Sequence, residues 1–223
     1  MSRMSIQHHP GEAFLLDYAS GALSEAWSIA IATHLAMCPE CRRAVSGMET
    51  IGAGLMESLE SVPLSPSSLA TLMDRINEEV PPTGAVENDA AAHPSKYRIP
   101  QPLRGYVENA SGEIEWQRLG RGASQHLIKT GQDGATARLL RIPAGRAVPV
   151  HTHRGLEFTL VLSGAFSDAT GRYGRGDIQE ADDTLDHQPW AEADQDCICL
   201  AVTEAPLRFK SLAARVVQPF LGI

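Results

Sequence analysis

The sequence contains little cysteine, few aromatic residues and no excess of positive charge. Four of its 223 residues are cysteine, 5% are aromatic, and 19 basic side chains are outnumbered by 27 acidic ones, which gives a formal net charge of −8. This acidic balance argues against free nucleic acid or an anionic membrane as a direct partner. There is no apolar run long enough to span a membrane, and the first residues, MSRMSIQHHPGE, do not resemble a signal peptide, so we expect a cytoplasmic location.

The chain divides into two parts of different character. Residues 1–80 carry ten acidic side chains and four arginines, a net charge of −6, whereas the 17 acidic and 15 basic side chains that follow nearly balance. The first part has apolar residues at helical spacing, and the last part has short apolar runs separated by turn sequences such as NASG and YGRGD. We therefore predict an α plus all-β protein with a helical domain at 1–80, a Pro-rich linker at 81–97 and a β sandwich or barrel at 98–223.

Two of the predicted helices carry apolar stripes. The helix that begins near Pro39 is predicted to bury one face, formed by Ala44, Met48, Ile51, Leu55 and Leu59. The segment SSLATLMDRINEEV is predicted to be a separate amphipathic helix, because prolines precede and follow it.

A histidine precedes a closely spaced cysteine pair in HLAMCPECRR. His34, Cys38 and Cys41 form the pattern H-x3-C-x2-C, and the first two are four residues apart on one helix face. A structural zinc site needs four ligands, and the adjacent His8 and His9 are both candidates for the fourth. A redox dithiol would need a preceding strand in a βαβ unit, which the helical pattern does not provide. A chance cluster is the remaining alternative, but a marginal helical core of this size would gain considerable stability from zinc.

A second histidine cluster lies in GRAVPVHTHRGLEFTLVLSG. His151 and His153 project from the same face of a strand, and Glu157 has the same parity. His187, in DTLDHQPW, is the candidate fourth ligand from a neighbouring strand. Two surface histidines are the ordinary explanation of H-x-H, but the surrounding glycines, proline and glutamate favour a metal site. Imidazole and carboxylate ligands accept zinc, iron, manganese or nickel, so the metal is not specified.

The remaining cysteines and histidines are less informative. Cys197 and Cys199 share a strand face, and they are interpreted either as small buried residues or as a thiol sensor near the second cluster. His93 lies in the predicted linker, and nothing pairs with His126 by spacing.

The first part resembles the zinc-binding anti-sigma fold. The resemblance covers about residues 5–80 and rests on H-x24-H-x3-C-x2-C, with LLDYASGALSE between the histidines. It implies His9 as the first zinc ligand, beside His34, Cys38 and Cys41. It also implies an extracytoplasmic-function sigma factor as the partner, which the family keeps from promoters.

The last part resembles the cupin family, a small β barrel that holds a metal with three histidines and a carboxylate. The first cupin motif matches from Gly145 to Gly164, whereas in the second only His187 matches, and Ala191 stands where asparagine is expected. This order of domains is similar to that of ChrR-type regulators. The resemblance implies that the N-terminal module inhibits a sigma factor and that the cupin responds to a stress signal, singlet oxygen or a related oxidant, by releasing it.

The expected function is therefore regulation of transcription without catalysis. The alternative is a metal-dependent cupin oxygenase or isomerase whose helical part serves as an interaction module. A metal-storage or metal-sensing protein is a further alternative, which would predict weak and exchangeable zinc at the first site, whereas two cysteines and two histidines predict tight binding.

Overall fold

The structure of the protein is a computed structural model. The structure describes residues 5–78, 97–109, 111–120, 122–131, 134–205 and 208–209. The predicted linker, apart from its last residue, and His93 lie outside the described residues, so the domain boundaries at 80 and 98 remain predictions.

Five helices and eleven strands form the described part of the chain. The helices are α1 (Glu12–Ala19), α2 (Glu25–Met37), α3 (Pro39–Glu57), α4 (Ser68–Asn77) and α5 (Gln101–Val107). The strands are β1 (Gln117–Gly120), β2 (Ala123–Ile128), β3 (Thr136–Ile142), β4 (His151–Thr152), β5 (Glu157–Ser163), β6 (Ala165–Asp168), β7 (Gly171–Gly174), β8 (Ile178–Ala181), β9 (Trp190–Ala191), β10 (Cys197–Thr203) and β11 (Arg208–Phe209). None of the helices in these ranges is long and apolar enough to cross a lipid bilayer.

The strands form three antiparallel sheets. A six-stranded sheet has the order β1-β2-β3-β10-β5-β8, and two smaller sheets have the orders β7-β6-β9 and β11-β4. The predicted cupin-like β domain is thus present, but its strands are divided among separate sheets and do not close into one continuous barrel. Short strands and irregular connections at the ends explain the gaps, since β4, β9 and β11 have only two residues each.

The large sheet has two faces of different chemistry. Along β5, Phe158 and Leu160 alternate with Glu157 and Thr159, as successive side chains of a strand point to opposite faces. The apolar face packs against the helices: the ring centroid of Phe158 lies 4.4 Å from that of Phe14 and 5.1 Å from that of Trp27. The helices and the sheet consequently share one hydrophobic core.

Helix α2 lies at the centre of this shared core. Eight of its thirteen residues are buried: Ala26, Trp27, Ile29, Ala30, Ile31, Thr33, His34 and Leu35. A helix that is apolar around most of its circumference is buried between other elements. Here α2 lies between α3 and α5 on one side and the strands β3, β5 and β10 on the other.

The prediction that the apolar stripe beginning in α3 is buried is wrong for most of that stripe. Of that stripe, Ile51, Leu55 and Leu59 are 68%, 66% and 72% exposed. Only the first turns of α3 are held against the fold, where Cys41 and Val45 are buried. The periodicity correctly indicated an amphipathic helix, but periodicity does not tell whether the apolar face meets the chain's own core or another molecule.

Helix α4 is a separate amphipathic helix, as predicted, and none of its residues is buried. Helix α5, in contrast, was not predicted. It begins after Pro100, and its Leu103 and Val107 pack into the shared core beside α2.

Candidate metal centres

Four side chains from the first part of the chain converge: His9, His34, Cys38 and Cys41. One potential ligand atom from each lies within 4.8 Å of the others. His9 Nδ1 is 3.2 Å from Cys41 Sγ and 3.5 Å from Cys38 Sγ, and His34 Nε2 is 3.3 Å from Cys41 Sγ. Two imidazoles and two thiols are the donor set of closed structural zinc sites. The group could therefore hold zinc, and we refer to it as the Cys–His site.

The junction between α2 and α3 creates the Cys–His site. His34 lies in the last turn of α2, and Cys38 has extended backbone angles where that helix ends. Pro39 begins α3, because its fixed φ and missing N–H suit the first position of a helix. The backbone N–H of Cys41 donates to Cys38 Sγ at 3.5 Å, which orients the two sulfur atoms toward one point.

The structure brings His9, and not its neighbour His8, into this site. The Nδ1 atom of His8 lies 3.7 Å from Asp177 Oδ2, and its ring centroid lies 4.4 Å from that of Tyr173. His8 therefore contacts the cupin part of the chain, while His9 contacts the two sulfur atoms. The residues alone left this choice open.

Burial affects the protonation of the Cys–His site. It lowers the pKa of His34 to about 4, although the Gly176 carbonyl partly opposes this effect. Burial, with a further contribution from Cys38, raises the pKa of Cys41 to about 12. Burial thus favours the neutral forms of His34 and Cys41, and coordination of a divalent metal by Cys41 must displace its thiol proton.

A contact from the cupin part fixes the orientation of His34. Its Nδ1 lies 2.9 Å from the carbonyl oxygen of Gly176. Because a carbonyl only accepts hydrogen bonds, Nδ1 carries the proton and donates it. The other ring nitrogen, Nε2, is left with a lone pair directed at the sulfur atoms, as a metal ligand requires.

The second cluster consists of three buried histidines, His151, His153 and His187. The Nε2 atom of His187 lies 3.1 Å from Nε2 of His151 and 3.2 Å from Nε2 of His153. These three nitrogens form the second group that could hold a metal among the described residues. We refer to it as the three-histidine site.

The other ring nitrogens of this site face hydrogen-bond acceptors. Nδ1 of His151 lies 2.9 Å from the carbonyl oxygen of Pro149, and Nδ1 of His187 lies 2.7 Å from Asp168 Oδ2. Both Nδ1 atoms therefore carry the proton, and the corresponding Nε2 atoms present lone pairs to each other. Lone pairs that converge in a buried space cannot hydrogen-bond among themselves, whereas a cation satisfies all of them. The residues thus fit a metal ion.

Glu157 lies beside the three-histidine site. Its Oε2 is 3.4 Å from His153 Nδ1, and its Oε1 accepts a hydrogen bond of 3.1 Å from Thr159. Burial would raise the pKa of Glu157, but the imidazoles and this hydroxyl lower it below its usual value. Its carboxylate is not among the atoms that converge, so its role as a ligand remains a prediction.

The cysteines of β10 are buried. The Sγ atoms of Cys197 and Cys199 lie 3.4 Å apart, and both residues are nearly inaccessible to solvent. The hydrogen bond between Cys199 and Cys197, together with burial, raises the pKa of Cys199 well above that of a free thiol. Since the thiolate is the reactive form, these observations favour the interpretation as small buried residues.

Sequence reasoning missed several residues that support the sites. Asp168 and Asp177 are buried acids in the cupin part, and neither has a metal-ligand spacing that would reveal it. The turn sequence YGRGD was recognised only as a strand boundary, although it contains Gly176. His126 has no role in either site, since its Nδ1 pairs with the Glu115 carbonyl oxygen at 2.9 Å.

Comparison with known proteins places the chain in a family. A family model described as the ChrR cupin-like domain matches residues 107–207. The chain is 47% identical over 220 residues to the anti-sigma-E factor ChrR of Cereibacter sphaeroides, which covers 99% of this chain and 100% of that protein.

Solved structures extend the comparison. The crystal structure of SigE in complex with the anti-sigma ChrR from Rhodobacter sphaeroides matches with a TM-score of 0.73 and 45% identity, over 89% of this chain and 99% of that one. An RmlC-like cupin protein from Ralstonia eutropha matches with a TM-score of 0.40 and 17% identity, over 48% of this chain and 73% of that one.

The whole-chain match confirms the resemblance on which the sequence analysis relied. It also confirms the expectation of a regulator in place of a cupin enzyme, because the whole-chain relative is an anti-sigma factor and the matched structure is a complex of an anti-sigma factor with SigE. The helical part, the cupin-like part and the order in which they occur all agree: this chain belongs to the ChrR family of anti-sigma factors.

Proposed function

We propose that this protein binds and inhibits an extracytoplasmic-function sigma factor in the cytoplasm, and that its cupin part controls release. The anti-sigma factor ChrR, whose solved chain is 45% identical to this one, has been crystallised in complex with SigE. The same class of partner suits this chain, because its first part is acidic and exposes apolar residues on two helices.

The observation that carries this proposal is a set of exposed apolar residues in α3, in α4 and in the connection between these helices, which we call the α3–α4 stripe. Its members are Ile51, Leu55, Met56, Leu59, Val62, Leu64, Leu69, Leu72, Met73 and Ile76. So many large apolar side chains left exposed in one stretch of the chain are unusual on a protein that acts alone and are typical of a binding site. Apolar residues at helical spacing bind a groove of a partner.

Charge favours a basic partner. The first 80 residues carry a net charge of −6, and proteins that contact DNA phosphates expose lysine and arginine. Long-range attraction between such surfaces accelerates association and falls with added salt. A sigma factor surface occupied in this way is no longer free to engage its normal partners.

Zinc at the Cys–His site is proposed to hold the stripe in place. The ligands His9, His34, Cys38 and Cys41 would join the N-terminal segment to the junction of α2 and α3. A structural zinc ion stabilises small helical modules by about 10 kcal/mol of apparent binding free energy. The direction in which α3 leaves the core would then depend on the metal.

The cupin part is proposed to receive the signal. His151, His153 and His187, with Glu157 beside them or as a fourth ligand, would hold zinc or another divalent metal. An imidazole site that is not closed by sulfur can keep a position open for a small molecule or an oxidant. A stress signal, singlet oxygen or a related oxidant, would alter this site and release the sigma factor.

The proposal is tested by reconstitution with the whole chain. The protein is used to capture partners from a lysate of its own source, and captured proteins are identified by mass spectrometry. Any sigma factor found is then purified, its affinity is measured by calorimetry, and inhibition is measured by promoter-dependent transcription.

We expect a sigma factor of the extracytoplasmic-function class to bind in a one-to-one complex and transcription to stop when the anti-sigma factor is in excess. Zinc-loaded protein that captures no sigma factor, or that binds one without reducing transcription, would contradict the proposal.

A further inference from the structure

One short segment contacts both metal centres. It runs from Gly176 to Gln179, at the turn between β7 and β8, and we call it the bridging segment. Its first two residues and Ile178 contact the N-terminal segment and α2, and its last residue contacts the network behind the three-histidine site.

Asp177 anchors the residues that precede His9. Its Oδ1 accepts hydrogen bonds from the backbone N–H groups of Gln7 at 2.6 Å and His8 at 3.0 Å. The N–H of Ile178 donates to the carbonyl oxygen of His8 at 3.1 Å. Three hydrogen bonds therefore fix the backbone immediately before the ligand His9, and all three come from the cupin part.

Gly176 supports the other histidine of the Cys–His site through its carbonyl group, which accepts from His34 Nδ1. The position requires glycine, because its φ is +93° and an added Cβ would lie 2.6 Å from Cδ1 of Ile6. Ile6 thus packs directly over the bridging segment, which brings the chain close enough for the hydrogen bonds of Asp177.

Gln179 extends the contact to the second site. Its Nε2 donates to Asp168 Oδ2 at 2.7 Å, and the same oxygen accepts from Nδ1 of His187 at 2.7 Å. Burial would raise the pKa of Asp168, but hydrogen bonds from Thr170, Gln179 and His187 lower it, so the carboxylate is ionised. Gln179 and Asp168 consequently determine which nitrogen of His187 faces the other two histidines.

We propose that the bridging segment is an outer shell common to both metal centres: Gly176 and Asp177 position the ligands His34 and His9, and Gln179 positions His187 through Asp168. This inference rests on the metal binding put forward under Proposed function. Residues that orient metal-bound histidines typically change metal affinity by about 10- to 100-fold when they are replaced. Metal retention at the Cys–His site thus depends on residues more than 130 positions away in the sequence, in the other half of the chain.

The test uses the whole chain loaded with Co²⁺. Sulfur-to-cobalt charge-transfer absorption arises only where cysteine is a ligand, so it reports the Cys–His site, and total cobalt minus this fraction reports the other. The rate at which a chelator removes each signal is then measured, with circular dichroism as the check on folding.

Two variants test the contact between the bridging segment and the N-terminal segment, one in each partner of the contact. Asp177→Ala removes the anchor from the cupin part, and Ile6→Ala weakens the docking from the N-terminal segment without touching a hydrogen bond within the cupin part. Asp196→Asn is the matched control, since this acid accepts from Arg141 and Ala144 elsewhere in the cupin part. We expect release of thiolate-bound cobalt to be about 10- to 100-fold faster for Asp177→Ala and unchanged for the control.

A third variant tests the second contact. Gln179→Leu keeps the volume of a buried side chain but removes the donor to Asp168. We expect cobalt without sulfur ligands to be released roughly tenfold faster, while the thiolate signal decays at the rate of the unmodified protein.

The two proposals fail in different ways. Unmodified protein that develops no sulfur-to-cobalt absorption would contradict metal binding at the Cys–His site itself. Absorption that develops normally and decays at the same rate in folded Asp177→Ala and Ile6→Ala would overturn the outer shell alone, and Ile6→Ala decides the matter if Asp177→Ala does not fold.

Discussion

The two metal centres differ in what surrounds their ligands. The Cys–His site offers two sulfur atoms and two nitrogens, whereas the three-histidine site offers three nitrogens with a carboxylate beside them. Four protein ligands that include thiolates are typical of structural metal sites. Three imidazoles leave a coordination position open, which allows a metal to bind a small molecule or to react with it. The difference supports the proposed division of roles, in which the first half of the chain provides structure and the second half responds to the signal.

The two halves also differ in the treatment of their apolar surface. The large sheet buries its apolar face against the helices, and Phe158 is inaccessible to solvent. The α3–α4 stripe remains exposed along its length. Apolar surface that the chain covers itself contributes to folding, and apolar surface that it leaves open contributes to association.

The largest loss of affinity for the sigma factor is expected when a ligand is removed from the Cys–His site. Cys38→Ser removes a thiolate, so the remaining ligands hold zinc poorly and α3 loses its fixed direction. We expect the affinity for the sigma factor to fall by at least ~100-fold, since structural zinc contributes folding free energy directly. Calorimetry measures the affinity, and elemental analysis measures the zinc content.

The control for this change is Cys197→Ser, which also replaces a buried cysteine but lies in the cupin part, away from the convergent ligands. Equal losses of affinity in the two variants would show that the Cys–His site has no special role in binding.

An intermediate effect is expected from the exposed stripe. Leu72 is 52% exposed, so Leu72→Ser leaves the folded chain nearly unchanged but removes an apolar contact with the partner. We expect a loss of affinity of about 1–2 kcal/mol, or roughly tenfold, with an unchanged midpoint of thermal unfolding. Thr71→Ser, one position away on the same helix, should have no effect on either measurement, and a fall in thermal stability for Leu72→Ser would mean that α4 packs on the chain itself.

The smallest effect on binding is expected from the second site. His151→Ala removes one of the three converging nitrogens, so the chain should lose about one metal ion. Affinity for the sigma factor should stay within about twofold, because none of the residues of the stripe belongs to this site. Release under oxidative stress, measured as transcription from a target promoter, should be blunted; a normal response would remove the three-histidine site from the signalling mechanism.

The ligand patterns were readable from the sequence because they are local. H-x3-C-x2-C spans one helix junction, where residues four apart lie on the same helix face. H-x-H lies on a strand, where residues two apart point to the same side. His187 was the candidate from a neighbouring strand, and the family resemblance then matched it to the histidine of the second cupin motif. The structure brings all of these side chains into their predicted clusters, with Glu157 beside rather than among the converging atoms.

Other features depend on contacts between distant segments, which spacing does not encode. The stripe of α3 has the same periodicity whether it meets the core or a partner, and so its burial was predicted wrongly. Asp177 accepts hydrogen bonds from the backbone of Gln7 and His8, at the other end of the chain, and Asp168 accepts from Gln179 and His187. The packing of Phe14 and Trp27 on Phe158 likewise joins residues separated by more than 130 positions.

The absence of buried residues in α4 has a consequence for how long a complex lasts. Because α3 is rooted in the core and α4 follows it without packing of its own, the stripe can engage a partner as two connected binding elements. Once α3 is bound, α4 meets the partner at an effective concentration that short connections typically raise to about the millimolar range. Dissociation then requires both elements to detach together, so a partner loosened at one element is recaptured, and lasting release needs a change that reaches α3.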